Sequence, residues 1–244
     1  MSGHLLHIDH VSKHFGGNVA VSEVSFSVDK KQIFGLIGPN GAGKTTLFNC
    51  ITGYYPVTSG QIAFNGSSIN NRRPDQVCRL GMARTWQRVK PLCSLSVLEN
   101  VMVGAFASTN SPRKAEAFAR DQLTAVGLDD HAGKPAGSLP IGLKKKLELA
   151  RVLATRPKML LLDEICGGLN HTETEIILEI IRKLRSSGIT IVFIEHDMRA
   201  VTSICDRIVV LNSGQKLAEG TPAEITSNPA VIAAYLGGGH NAQD

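Results

Sequence analysis

No apolar run in this chain approaches the ~18 residues that a membrane-spanning helix needs; the longest candidates, Met159 to Leu162 and Ile189 to Ile194, are strand-length. Nor does the opening Met1-Ser2-Gly3-His4 lead from a basic segment into an apolar one, so no secretory signal is expected and the chain should stay in the cytosol. The five cysteines (Cys50, Cys78, Cys93, Cys166 and Cys205) are odd in number and form no C-x-x-C pair. They read as free thiols in a reducing compartment. Aromatic residues make up only 5% and none is interleaved with the basic residues, which argues against a platform for single-stranded nucleic acid. There is no repeat, no low-complexity segment and no N/T-K-x-D guanine motif, which disfavours a GTPase.

What is present is an ordinary globular composition. Hydrophobic residues at 43% and charged residues at 19% exclude a disordered chain. A chain of 244 residues buries about 70% or more of its unfolded surface, so neither disulfide nor metal is needed to hold it. The formal charge of +5 is a modest basic excess, and Lys144-Lys145-Lys146, the densest cluster, is expected to form a solvated helix face. His4, His7 and His10 invite a metal reading, but on a strand His7 points away from the other two.

Strand patterns run through Val24–Val28 and Gln32–Ile37, and a helix is predicted from Lys44 to about Ile51. The middle of the chain is helical. Ser96-x-x-Glu99 is a capping box, Ser111-Pro112 opens a second helix closed by Gly127, and a third runs from about Gly142 to Ala154, stopped at Arg156-Pro157. Alternation then resumes. A strand ends in Asp163-Glu164, and a helix capped by Thr172-x-x-Glu175 is predicted to run to Gly188. A strand covers Ile189–Ile194, a hairpin turn lies at Asn212-Ser213-Gly214, Thr221-x-x-Glu224 caps a short helix, and a final helix starts near Asn228-Pro229. The glycine-rich tail, residues 237–244, is expected to be loose. An α/β core of about residues 1–87 and 158–236 thus brackets a helical sub-domain of about 88–157.

Two motifs carry chemistry. Gly38-Pro39-Asn40-Gly41-Ala42-Gly43-Lys44-Thr45 satisfies G-x-x-x-x-G-K-[ST] between an apolar strand and a helix. Glycines let main-chain N–H groups converge on an anion, and the helix directs its positive end at the same place. Lys44 is expected on the β- and γ-phosphates, Thr45 on Mg²⁺, and Thr46 as a second hydroxyl near the phosphates. At the end of the apolar strand Met159–Leu162 two carboxylates emerge where α/β proteins place ligands. Asp163 suits Mg²⁺ and Glu164 suits polarisation of an attacking water.

With these motifs in order, the chain resembles the ABC ATPase family from about Leu5 to Leu236. The resemblance implies an α/β fold with a P-loop NTPase (RecA-like) core, an N-terminal antiparallel β sub-domain and an inserted helical sub-domain. It implies ATP and Mg²⁺ as cofactors. It also implies that Phe15 stacks on adenine, that Gln87 in Thr85-Trp86-Gln87 touches metal and water and faces membrane subunits, and that His196 contacts the γ-phosphate. The family signature, usually Leu-Ser-Gly-Gly-Gln, is here Leu139-Pro140-Ile141-Gly142-Leu143. Pro140 has neither hydroxyl nor N–H to donate. Proline is nevertheless favourable in a first helical turn, so Gly142 N–H is expected to serve the nucleotide of an opposing subunit. Ile165 stands where the family has proline, and Asn170 where it has aspartate.

Phe15-Gly16-Gly17, Phe48-Asn49-Cys50, Arg84-Thr85-Trp86-Gln87, Gly168-Leu169-Asn170, Ile194-Glu195-His196-Asp197-Met198, Gly220-Thr221-Pro222 and Ala234-Tyr235-Leu236-Gly237 resemble the ATPase subunits of branched-chain amino acid importers. The lipopolysaccharide-export ATPase is a similar branch, with its signature normally intact. A soluble ABC protein acting on ribosomes or DNA usually has two cassettes or coiled-coil insertions, which this chain lacks. The expected partners are a second ABC ATPase subunit in a hetero- or homodimer, transmembrane permease subunits and, indirectly, a solute-binding protein, with no nucleic acid. The expected place is the cytoplasmic face of the cell membrane.

Overall fold

The computed structural model describes residues 3–87 and 89–237; beyond Gly237, the tail expected to be loose lies outside the described residues. In chain order the elements are β1 (His4–Phe15), β2 (Asn18–Asp29), β3 (Ile33–Ile37), α1 (Lys44–Ile51), β4 (Ser59–Phe64), β5 (Ser67–Ser68) and α2 (Pro74–Arg79). Then come β6 (Met82–Arg84), α3 (Val97–Ala105), α4 (Pro112–Val126), α5 (Ile141–Leu153), β7 (Met159–Asp163) and α6 (His171–Ser186). The chain closes with β8 (Thr190–Ile194), α7 (Met198–Ile204), β9 (Arg207–Asn212), β10 (Gln215–Gly220), α8 (Pro222–Thr226) and α9 (Pro229–Gly237). Two compact units result, Met1–Val77 with Thr190–Asp244, and Cys78–Ile189.

The first unit holds an antiparallel sheet in the order β2-β1-β4-β5 and a run of strands in the order β10-β9-β3-β8. In the second group β3 pairs parallel with both β8 and β9, while β10 returns antiparallel on β9. All five residues of β3 and of β8 are buried, the uninterrupted apolar pattern of a strand covered on both faces. The β9–β10 hairpin turns at Ser213 (φ 48°) and Gly214 (φ 80°), the left-handed pair that a two-residue hairpin requires. Its tip does more than reverse the chain. Gly214 N–H donates to Ala42 O and Gly214 O accepts from Ser22 N–H, so the tip braces the loop between β3 and α1. The three histidines of β1 have separate partners, His4 on Asp29, His7 on Ser27 and His10 on Asp9, and no cluster of three or more His, Cys, Asp or Glu side chains placed to hold a metal occurs among the described residues.

In the second unit β6 pairs parallel with β7, and α3, α4 and α5 pack on one another. The capping boxes at Ser96–Glu99 and, in the first unit, at Thr221–Glu224 both close, each satisfying orphan N–H groups at a helix start. In each, the Glu carboxyl is held below its ordinary value by the main-chain N–H of the cap residue and by its hydroxyl. One expected cap is corrected. Helix α6 starts at Asn170, whose side chain accepts from Glu173 N–H while Glu173 reaches back to Asn170 N–H. The Thr172–Glu175 spacing matches the same pattern two residues later, but the earlier asparagine closes a full box first. The helix ends at Ser186 instead of reaching Gly188. Helices α3 and α5 approach without an intervening side chain: a Cβ on Gly104 would lie 2.1 Å from Arg151 O.

Candidate functional site

The phosphate-loop residues lie in the first unit. β3 ends at Ile37, and α1 begins at Lys44 with Gly43 as its cap at φ 97°. Two of the three glycines are enforced by packing. A Cβ on Gly38 would lie 2.1 Å from Leu211 O, and one on Gly43 2.6 Å from Ala20 O. Gly41 is different: φ is 78°, yet nothing lies within 4 Å of where its Cβ would be. Its glycine is required by the left-handed backbone alone, and the space beside it stays open to a ligand. Lys44 is only 6% exposed, and its ammonium donates to Gly38 O at 2.7 Å and Pro39 O at 3.0 Å. A cation thus sits in the hollow of a main-chain loop at a helix start, which fits phosphate. Thr45 and Asn40 are exposed, and Thr46 and Pro39 are half-buried. Tyr235 in α9 also reaches this loop. Burial pushes its phenol up, and a hydrogen bond from Gly38 N–H draws it partly back. That link joins residues 197 positions apart, and no local pattern announces it.

Phe15 stands at the end of β1, 43% exposed, with its ring edge-on to Tyr55 at 5.2 Å and the Lys13 ammonium 4.9 Å from its centroid. It is an exposed aromatic surface of the kind a nucleobase stacks on. His196 is exposed in the turn after β8, before Asp197 caps α7.

The second unit brings Gln87, Asp163 and Glu164 together. Asp163 is the last residue of β7 and is buried; Arg84 Nη2 donates to its carboxylate at 2.6 Å, and its N–H donates to Thr85 Oγ1. The Arg84 guanidinium also lies 4.7 Å from the centre of the Trp86 ring. A buried pair of this kind is weak evidence of net stability, but losing one partner typically costs about 3–5 kcal/mol. Glu164 follows with φ 50°, a left-handed conformation uncommon for a side chain with a Cβ. Its Oε2 accepts from Gln87 Nε2 at 2.6 Å. The Thr45 hydroxyl in the first unit, and the Gln87 amide oxygen and Asp163 carboxylate in the second, are each hard oxygen donors of the kind that Mg²⁺ takes. Gly142 is buried near the start of α5, where a Cβ would lie 2.6 Å from Glu173 Oε1. The signature glycine is therefore packed against a carboxylate of its own chain.

Helix α5 also carries a correction. Lys144 and Lys146 are half-buried, but Lys145 is only 3% exposed and donates to Glu164 O at 2.9 Å. Three residues on, Glu148 is 2% exposed, and its Oε1 accepts from Trp86 N–H at 2.7 Å. The uniform lysine run hid this; the complementary charge at i+3 within an apolar stretch was the available signal. Burial pushes the Glu148 carboxyl above its ordinary value, a rise to which Asp163 adds and which the Trp86 N–H, Arg151 and Lys145 oppose. The unfolded chain then binds fewer protons than the folded one as pH climbs from the ordinary glutamate value, about 4.3, to the raised one. Stability falls through that window, and above it the loss is complete. Glu148→Gln should accordingly gain melting temperature relative to wild type at about pH 8 and lose that advantage at about pH 4, as thermal unfolding at the two pH values would show.

A family model described as "ABC transporter" matches residues 21–167, and one described as "Branched-chain amino acid ATP-binding cassette transporter" matches residues 215–241. The chain is 42% identical to the high-affinity branched-chain amino acid transport ATP-binding protein BraF of Pseudomonas aeruginosa, over 97% of this chain and 99% of that one. The identity and coverage are the same for LivG, the protein of that description from Escherichia coli (strain K12). Among solved structures it is similar to an ATP-binding cassette of an ABC transporter in its ADP conformation, with a TM-score of 0.89 and 32% identity over 97% of this chain and 100% of that one. A nucleotide-free cassette from an ABC transporter gives a TM-score of 0.88 at 31% identity, over 95% of this chain and 98% of that one. The α/β fold is that of a P-loop cassette with an antiparallel β sub-domain, and the chain belongs to the ABC transporter family as one of its ATP-binding, ATP-hydrolysing subunits, which work with transmembrane permease components.

Proposed function

We propose that this chain powers an importer of branched-chain amino acids or chemically related apolar amino acids and amides. The reading is carried by the 42% identity to BraF, which runs through nearly the whole of both chains and is joined by the match at residues 215–241. No described helix is long and apolar enough to cross a membrane, and the pathway for the solute is proposed to lie in the permease subunits. The proposed place of work is the cytoplasmic face of the membrane that holds them.

Each residue has a role that its chemistry fits. Lys44 and the main-chain N–H groups of residues 40–46 take the β- and γ-phosphates, Phe15 takes the adenine, and Thr45, Gln87 and Asp163 hold Mg²⁺. When bound, Mg²⁺ neutralises charge on the β- and γ-phosphates. Glu164 accepts the proton of the attacking water, Gln87 helps to orient that water, and His196 donates toward the γ-phosphate. Gly142 serves the nucleotide of an opposing cassette, so two cassettes enclose two ATP molecules. The partner is proposed to be a second, different cassette, with a solute-binding protein acting through the permease. Core residues about 1–87 and 158–236 and helical residues about 88–157 are proposed as the moving bodies.

Affinity purification of the tagged chain from its native membranes tests this. The expected co-purifying set is two multi-span proteins and a second cassette. Recovery of ribosomal or DNA-associated proteins, or of no membrane protein, would overturn the transporter reading and leave the ATP site standing.

A further inference from the structure

The hydrogen bond between Gln87 and Glu164 joins two residues that lie outside regular strands and helices. Gln87 is exposed in the loop after β6, and Glu164 leaves β7 in a left-handed conformation. The nearby support comes from one helix face. Lys145 and Glu148 sit three apart on α5 and so share a side of it. Their charges act on each other at a distance, but their hydrogen bonds go elsewhere. Lys145 donates 2.9 Å to the carbonyl of Glu164, and Glu148 accepts at 2.7 Å from the N–H of Trp86, the neighbour of Gln87. One contact therefore fixes the main chain under each member of the pair.

Burying an ammonium and a carboxylate is costly, and an apolar residue would fill either place more cheaply. Glu148 Oε2 has no hydrogen-bond partner among the described residues, so that cost is not fully met by local bonding. Both charges are spent on main-chain groups beside the two residues that the proposed chemistry needs. We propose that Lys145 and Glu148 are positioning residues for hydrolysis: through them, α5 aims the Glu164 carboxylate and holds Gln87 against it. The same helix starts at Ile141-Gly142, one turn from Lys145, so the altered signature and the hydrolytic pair share one rigid element. The inference rests on the reading of Glu164 as the group that activates water.

The test is steady-state hydrolysis and nucleotide affinity of the complex purified through the tagged full chain, measured side by side for wild type, Lys145→Met and Lys145→Arg. A misplacement of about 1 Å can cost on the order of 10²-fold, so Lys145→Met should lower kcat by roughly 10- to 100-fold with KM for ATP nearly unchanged. Lys145→Arg, which can still donate to the Glu164 carbonyl, should recover most of the rate. A Lys145→Met kcat within about twofold of wild type would overturn the proposal. So would a loss that falls equally on nucleotide binding and is not rescued by arginine. If Lys145→Met does not fold, Lys145→Ala, which shortens the side chain and removes the donor, is read by the same kcat and KM criteria. A wild-type complex that binds ATP without hydrolysing it would remove the reading on which the inference stands, a different result from a rate insensitive to residue 145.

Discussion

Lys44→Ala is expected to lose ATP hydrolysis by at least about 10²- to 10³-fold, the loss seen when one preorganised donor to developing charge is removed. The substitution deletes the buried cation of the phosphate loop. The ammonium lies against Gly38 O and Pro39 O, so the loop is already shaped around one positive charge, and a phosphate arriving there meets it at short range in a poorly hydrated place. Alanine keeps the helix start, because Leu47 N–H still donates to Gly43 O. The loop therefore survives as a shape and fails as an electrostatic site. Arginine should not restore it, since a planar guanidinium does not fit a hollow built for a compact ammonium. Titration with a fluorescent ATP analogue, alongside a phosphate-release assay, measures both parts of the effect. Full activity in the alanine variant would remove the phosphate-loop assignment.

Glu164→Gln should separate binding from turnover. The amide matches the carboxylate in size, can accept the same hydrogen bond from Gln87, and leaves the Lys145 contact to the main-chain carbonyl untouched. What it cannot do is take a proton. Turnover is expected to fall by about 10²- to 10⁴-fold, the usual contribution of a general base, while ATP affinity stays within a few-fold of wild type. Equilibrium binding and single-turnover hydrolysis on the same preparation decide the matter. Unchanged turnover would mean that the water is activated by another group.

Legibility in the sequence followed the range of the interaction. The boxes at Ser96–Glu99 and Thr221–Glu224 and the turn at Ser213-Gly214 are decided within four residues, and all were readable from spacing. Two overlapping candidates defeated the same reasoning at α6, because Asn170 and Thr172 each have a glutamate three residues on and only the fold selects between them. The phosphate loop was legible because it is contiguous. Pairing of Gln87 with Glu164 was legible only as an order of motifs, since nothing in either segment specifies a hydrogen bond across 77 positions. Lys145 was misread because three identical side chains give a pattern no means of saying which one turns inward. The left-handed Glu164 carries no local signal either: glycine or asparagine would have announced it, and glutamate does not.

The close approach of α3 and α5 has a mechanical meaning. Where Gly104 meets the Arg151 carbonyl there is no side chain between the two helices to act as a bearing. Interdigitated side chains can repack as helices slide, but backbone seated on backbone cannot, and a single added methyl group would force the joint apart. At that joint the pair is built as a beam rather than as a hinge, because neither backbone can slide along the other without a clash.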